Sequence, residues 1–258
     1  MKITVLTENT CKSGKYNCEH GLSLYIETEK YNTLFDMGQT DLFAENAEKL
    51  GINLADVHFA VLSHGHYDHG GGLAKFLDIN KTAPVYISRH AFGEHFNGTE
   101  KYIGLDKSLE NNDRLVFTDD VYKISDGFTL YSCNENKKPY NLGSFGLAEK
   151  TDDGFVPDRF LHEQYLLIEE NGKKVLISGC SHKGILNIAG WFDADVIVGG
   201  FHFSKLPTDD TLKNYAEILD DTGIHFYTCH CTGTEQYEFM KKSMKKLDYI
   251  SVGDTFTI

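Results

Sequence analysis

Apolar and polar residues alternate along the first part of the chain with the period of two that marks strands, then switch to helical spacing. Lys2 to Thr7, Leu22 to Glu27 and Tyr31 to Phe35 read as strands, the last running into a turn at Asp36-Met37-Gly38. A helix is predicted from Thr40 to Leu50. Thr40 can cap it, Leu42, Phe43, Ala47 and Leu50 form its apolar stripe, and Gly51 ends it. Phe59-Ala60-Val61-Leu62 is a short apolar run of the buried-strand type, and Pro84 to Ser88 gives another strand.

The stretch from about residue 90 to 160 breaks this rhythm. It is rich in Asn, Asp, Gly and Lys, with short strands such as Leu115 to Thr118 and Thr129 to Ser132, and is expected to be an irregular segment that could serve as a lid. Order returns with Gln164 to Glu169, a turn at Asn171-Gly172 and Lys174 to Ser178, a hairpin signal. Helices are then expected at Ile185 to Trp191, Asp209 to Asp221 and Thr234 to Leu247, with strands at Val196 to Val198 and Ile224 to Thr228 between them. In the last helix Glu235 and Glu238 come early and Lys241, Lys242, Lys245 and Lys246 late, which complements its dipole. The pattern is that of an α/β protein, read as one domain over residues 1–258.

Histidines recur just past the predicted strands: His64, His66 and His69 after the Phe59 run, then His182, His202 and His230. Strand carboxyl ends are where ligand sites gather in α/β folds, so these loops are expected to converge on one site. The densest is Ser63-His64-Gly65-His66-Tyr67-Asp68-His69, followed by Gly70-Gly71-Gly72. It places three imidazoles and a carboxylate within six residues, a donor set suited to zinc, iron and related metals. If the loop starts extended, His64 and His66 project to one side, while the adjacent Asp68 and His69 diverge and can reach a second metal. The glycines are expected to let the backbone turn sharply beneath the site. His182 and His230 are further candidate ligands. His202 could be a ligand, a substrate contact or a support for one. Cys180 could ligate or bridge as a thiolate, or be a buried spectator. Asp36, at a strand end, could hold a ligand histidine in place. His58, His90, His95 and His225 are expected to be surface or core residues.

The net charge of −13 argues against nucleic acid and anionic membrane surfaces as partners, but bound divalent metals would reverse the local potential for an anionic substrate. No signal-peptide pattern and no apolar run long enough to span a membrane is seen, so a cytoplasmic location is expected. In that compartment the six cysteines should be mostly reduced.

His64-Gly65-His66-Tyr67-Asp68-His69 resembles the signature of the metallo-β-lactamase superfamily. Taken with Glu19 to Ser23, Leu34 to Gln39, Gly179-Cys180-Ser181-His182, Gly200-Phe201-His202 and His230 to Gly233, it is similar to one branch of that superfamily. The branch is named for the archaeal dihydropterin-methyl-ribofuranosylaminobenzene phosphate synthase. The resemblance implies a four-layer αβ/βα sandwich with two divalent metal ions at one edge, zinc first and manganese or iron as alternatives. It implies His64, His66 and His182 on one ion and Asp68, His69 and His230 on the other. Gly179-Cys180 stands where most members carry a bridging Asp, so whether Cys180 bridges is open.

The function expected is hydrolysis of an ester-type small molecule, phosphorylated substrates included, by a metal-activated water that Asp68 orients while His202 contacts the substrate. The alternatives are a transferase joining a pterin diphosphate to an aryl acceptor, and a non-enzymatic metal or ligand sensor. The sequence gives no oligomeric state.

Overall fold

The computed structural model describes residues 1–258. In the first half, β1 (Lys2–Thr7), β2 (Ser23–Glu27), β3 (Asn32–Phe35), β4 (Phe59–Val61) and β5 (Val85–Ser88) are joined by α1 (Leu42–Leu50), α2 (Tyr67–Gly70) and α3 (Leu73–Ile79). The middle holds β6 (His95–Asn97), β7 (Lys101–Tyr102), β8 (Leu115–Thr118), β9 (Val121–Ser125), β10 (Phe128–Tyr131), β11 (Leu147–Thr151) and β12 (Gly154–Pro157). The second half contributes β13 (Tyr165–Glu170), β14 (Lys173–Ile177), α4 (Ile185–Trp191), β15 (Val196–Gly199), α5 (Asp210–Asp221), β16 (His225–Thr228), α6 (Thr234–Met240), β17 (Leu247–Tyr249) and β18 (Thr255–Thr257).

Two seven-stranded sheets form, in the orders β18-β1-β2-β3-β4-β5-β8 and β17-β16-β15-β14-β13-β10-β9. Alternation along the strands decides what each face meets. In β2, Leu24 and Ile26 join Leu166, Ile168, Val175 and Val198 of the other sheet in a shared core, while Tyr25 faces α1 and α3. In β15, Val196 and Val198 enter that shared core and Ile197 packs with α4, α5 and α6. Strands buried on both faces need continuous apolar runs, as Phe59–Val61 and Val196–Val198 have. The result is the expected order of layers, helix, sheet, sheet, helix. No helix is long and apolar enough to cross a membrane.

Two expectations are corrected here. The 90–160 stretch is not irregular: it supplies the seven strands β6 to β12, four of which make a small separate sheet ordered β12-β11-β6-β7. Its polar composition reflects exposed faces on short antiparallel ladders. The final helix stops at Met240 rather than Leu247, because Leu247 to Tyr249 pair in parallel with Phe226 to Thr228 as β17. Sheet pairing overrides helical propensity there.

Candidate metal centre

Every ligand candidate sits at the end of a strand on one rim of the sandwich. β4 leads into Ser63 to His69, β14 into Gly179 to His182, β15 into His202 and β16 into His230. β3 leads into Asp36 and β1 into Glu8 and Asn9. The backbone at Asp36, Ser181, His202 and His230 is left-handed, with φ of 60°, 58°, 57° and 51°. Non-glycine residues are held in that region only where surrounding contacts over-determine it, and such residues cluster at functional sites.

The loop after β4 closes into one helical turn, α2, and the ligand atoms of Asp68 and His69 converge rather than diverge, with Asp68 Oδ2 3.8 Å from His69 Nε2. Gly71 and Gly72 have ordinary helical or near-helical φ values of −62° and −79°, so their role is not the sharp turn expected. A Cβ on Gly71 would run into the carbonyl oxygen of Gln39, and one on Gly72 into that of Met37. These glycines let the loop press against the chain that follows β3.

Two donor groups result. His64, His66 and His182 offer ligand atoms within 4.8 Å of one another, and so do Asp68, His69, Cys180 and His230. His64 Nε2 lies 3.3 Å from His182 Nε2, and His69 Nε2 lies 3.2 Å from both His230 Nε2 and Cys180 Sγ. Asp68 Oδ2 is 3.3 Å from His230 Nε2.

Hydrogen bonding decides what these atoms are. Ser63 Oγ donates to Asp36 Oδ2 at 2.7 Å, so it accepts from His64 Nδ1 at 2.8 Å. His69 Nδ1 donates to Asp36 Oδ2 at 2.6 Å. His230 Nδ1 donates to Asn9 Oδ1 at 2.8 Å. A ring that donates through Nδ1 and carries no second hydrogen leaves Nε2 with a bare lone pair, and this holds for each of the three when it ligates. The Nε2 atoms of His69 and His230, both bare, face one another at 3.2 Å and cannot satisfy each other. Donors at the corners of a tetrahedral site with bonds of about 2.0–2.1 Å lie about 3.3 Å apart. His66 Nε2 and His182 Nδ1 are also buried with no partner. The donor set thus fits two divalent ions.

The electrostatics agree. Burial, reinforced by neighbouring imidazoles, holds His64, His66 and His182 well below the ordinary histidine range, hence neutral and ready to ligate. Burial alone would lower His69 too, but the Asp36 and Asp68 carboxylates raise it. Burial alone would raise Asp68, but His69, His20 and His230 hold it well below the carboxylate range, so it is ionised.

His202 stands apart from both donor groups. It is half-buried, its ring centroid lies 4.3 Å from that of His182, and it groups instead with Cys180 and Cys231. A cavity of about 310 Å³ opens over the centre, reached by His20, His202, Lys101 and Lys205. Of the histidines read as surface or core, His58 accepts from the Asn32 amide and His225 meets Asp248, both away from the site. His95 is buried against Asp158, beside His66.

Several supporting residues were not foreseen. Glu8 Oε1 accepts from the His230 amide at 2.8 Å, and Glu163 Oε1 accepts from the His182 amide at 2.6 Å. Asp36, expected from the sequence to hold a ligand histidine, does the same for Ser63 through Oδ1 at 2.7 Å. Each ligand loop thus hangs from a buried carboxylate. His20 Nε2 contacts Asp68 Oδ2 at 3.2 Å, and Asn9 fixes the tautomer of His230. The only sequence signal for these acids is their position: Glu8 directly after an apolar strand and Glu163 directly before one.

Comparison with known proteins agrees with the geometry. The chain is 29% identical over 279 aligned residues to the 7,8-dihydropterin-6-methyl-4-(β-D-ribofuranosyl)-aminobenzene-5'-phosphate synthase of Methanocaldococcus jannaschii, covering 95% of this chain and 92% of that one. It is 27% identical to a second, uncharacterized protein of the same organism, covering 90% of each. The crystal structure of Tm1679, described as a metal-dependent hydrolase of the β-lactamase superfamily, superposes with a TM-score of 0.83 at 30% identity, covering 100% of this chain and 99% of that one. The profile of the metallo-beta-lactamase superfamily matches residues 16–223, and the chain belongs to that superfamily.

Proposed function

We propose that the protein is a metal-dependent hydrolase of an ester-type small molecule bearing an anionic group, phosphorylated substrates included. The observation that carries this reading is the set of bare Nε2 atoms on His64, His69 and His230, gathered with Asp68 and His182 at the floor of an open cavity. Divalent metal held by these residues would supply Lewis-acid polarisation and would lower the pKa of a water to about 7.

The chain's own residues do the rest. Asp68 binds and, through the oxygen it shares with His20, fixes the polar edge of the floor. His202, half-buried above His182, can donate to a substrate oxygen. Lys101 and Lys205 give the cavity the cationic character that the acidic chain as a whole lacks, which favours an anionic substrate. Tyr67, Ile103 and Leu147 offer an apolar wall.

The test is chelation followed by reconstitution, with turnover of phosphate esters and carboxylic esters measured at each stage. Activity should vanish on stripping and return with zinc or manganese. Undiminished activity after elemental analysis confirms metal removal would refute the reading.

A second reading is a transferase that displaces diphosphate from a pterin and joins it to an aryl amine. The 29% identity to the named synthase over nearly all of both chains favours it, as do the two lysines at the cavity. Product analysis with a pterin diphosphate, with and without an arylamine, separates the two. Free hydroxymethyl-pterin in both mixtures means hydrolysis, and a coupled product only with the amine means transfer.

A further inference from the structure

Beside the donor groups lies a second buried cluster that the proposed chemistry does not use. His95, Asp158 and His162 are each no more than 5% exposed, and together with His66 they offer polar atoms within 4.8 Å of one another. A carboxylate with three imidazoles could be a third cation site, but the hydrogen bonds say otherwise. The Gly65 amide donates to His162 Nδ1 at 2.9 Å, so the lone pair of that nitrogen is taken. The neutral ring then carries its hydrogen on Nε2, which faces Asp158 Oδ2 at 3.4 Å. His95 Nδ1 reaches the same oxygen at 3.0 Å, and the Phe160 amide donates to Oδ1 at 2.7 Å. His162 has no bare nitrogen to give a metal. The cluster is a hydrogen-bonded relay, and it ends on the amide between His64 and His66.

The same region is tied to the loop elsewhere. The Tyr67 amide donates to the Ile103 carbonyl at 2.9 Å, and the Ile103 amide to the His95 carbonyl at 2.8 Å. Gly65 is also pinned from the other side, since a Cβ there would run into the carbonyl of Ala91. The unpartnered His66 Nε2 shares this region with the relay.

We infer that Asp158 and His162 are positioning residues for the first metal: Asp158 fixes the tautomer and orientation of His162, and His162 holds the Gly65 amide so that His64 and His66 meet one ion together with His182. This makes the small sheet and its exit strand a working part of the metal centre. It rests on the metal reading above. Supporting partners of ligands commonly change metal affinity by 10–100-fold.

The experiment is cobalt(II) titration of the metal-free full chain against a competing chelator, read by affinity and by the visible ligand-field spectrum. His162→Leu should weaken the first ion about 10–100-fold and alter its spectrum, leaving the ion at Asp68, His69 and His230 unchanged. His162→Gln can accept from Gly65 and donate to Asp158, so it should restore affinity to within a few-fold of the wild type. If His162→Leu fails to fold, Asp158→Asn serves instead. It cannot accept from Phe160 and both rings at once, and should weaken the same ion. Wild-type affinity and spectrum in His162→Leu or Asp158→Asn, or no rescue in a folded His162→Gln, overturns the inference while the metal reading stands. No cobalt uptake by the wild type overturns both.

Discussion

Asp36 Oδ2 lies 2.6 Å from His69 Nδ1, and the other carboxylate oxygen of Asp36 accepts from the Ser63 amide at 2.7 Å. One fully buried side chain thus fixes both the entry of the ligand loop and the tautomer of a ligand six residues past that entry. Asp36→Asn tests this more sharply than a deletion. Its oxygen can still accept from Ser63, but its NH₂ group cannot accept from His69. His69 must then carry its hydrogen on Nε2, where the second ion would bind. Asp36→Asn is expected to fold and to lose about 10–100-fold in affinity for the second ion. It should weaken the first as well, because the same NH₂ group cannot accept from Ser63 Oγ, which sets the His64 tautomer. Elemental analysis after dialysis at a buffered zinc concentration reads the difference. Retention of two ions per chain would show that the tautomer is not set by Asp36.

Cys180 is grouped with Asp68, His69 and His230, and whether it ligates can be read directly. Its sulfur is 3.2 Å from His69 Nε2, and burial pushes its thiol well above the ordinary range in the absence of metal. A ligating thiol must lose its proton, so binding of the second ion should release one and strengthen with rising pH. The cobalt form should show a thiolate-to-metal charge-transfer band in the near ultraviolet. Cys180→Ser should abolish that band, and a cobalt form with two ions bound but no such band in the wild type would make Cys180 a spectator.

The framework of this site is legible in the sequence, because a ligand histidine after an apolar strand is a local signal. Phe59 to Leu62 followed by His64, and Val175 to Ile177 followed by His182, need no knowledge of the fold. What holds the ligands in place is not local. Glu8 and the His230 amide it accepts from are 222 residues apart, and Gly65 and His162 are 97 apart. A single Glu or His beside a strand looks the same whether it meets solvent or a buried amide. The glycines after His69 were read for torsional freedom, yet their close contacts with the carbonyls of Met37 and Gln39 exist only once β3 and β4 pair. The overlong final helix fails for the same kind of reason, since its last residues are claimed by a partner strand.

Those glycine contacts give a direct prediction. Gly71→Ala keeps an allowed backbone conformation, so any loss comes from the contact with the Gln39 carbonyl rather than from strain in φ. The obstacles, the carbonyls of Gln39 and Tyr67, are backbone and cannot swing away, so α2 must shift. A cost of about 2–3 kcal/mol is expected in the metal-free protein. A parallel loss in affinity for the second ion should follow, because α2 carries Asp68 and His69. Urea unfolding and zinc competition measure the two effects. Full stability in Gly71→Ala would mean that the loop tolerates displacement.

The last prediction concerns pH and lies away from the metals. Cys133 is 6% exposed, and burial pushes its thiol from an ordinary value near 9 up to about 11. Between those values the folded chain keeps a proton that the unfolded chain has lost. Stability contributed by the neutral thiol is therefore full below about pH 9 and falls as pH rises toward 11. A shift of this size corresponds to about 2–3 kcal/mol. Cys133→Ala removes the titration and adds a cavity cost that does not depend on pH. Urea unfolding of the metal-free wild type and the variant, compared from pH 8 to 10.5, should show the wild type's advantage shrinking steadily above pH 9. Parallel pH profiles for the two proteins would mean that Cys133 does not titrate differently on folding.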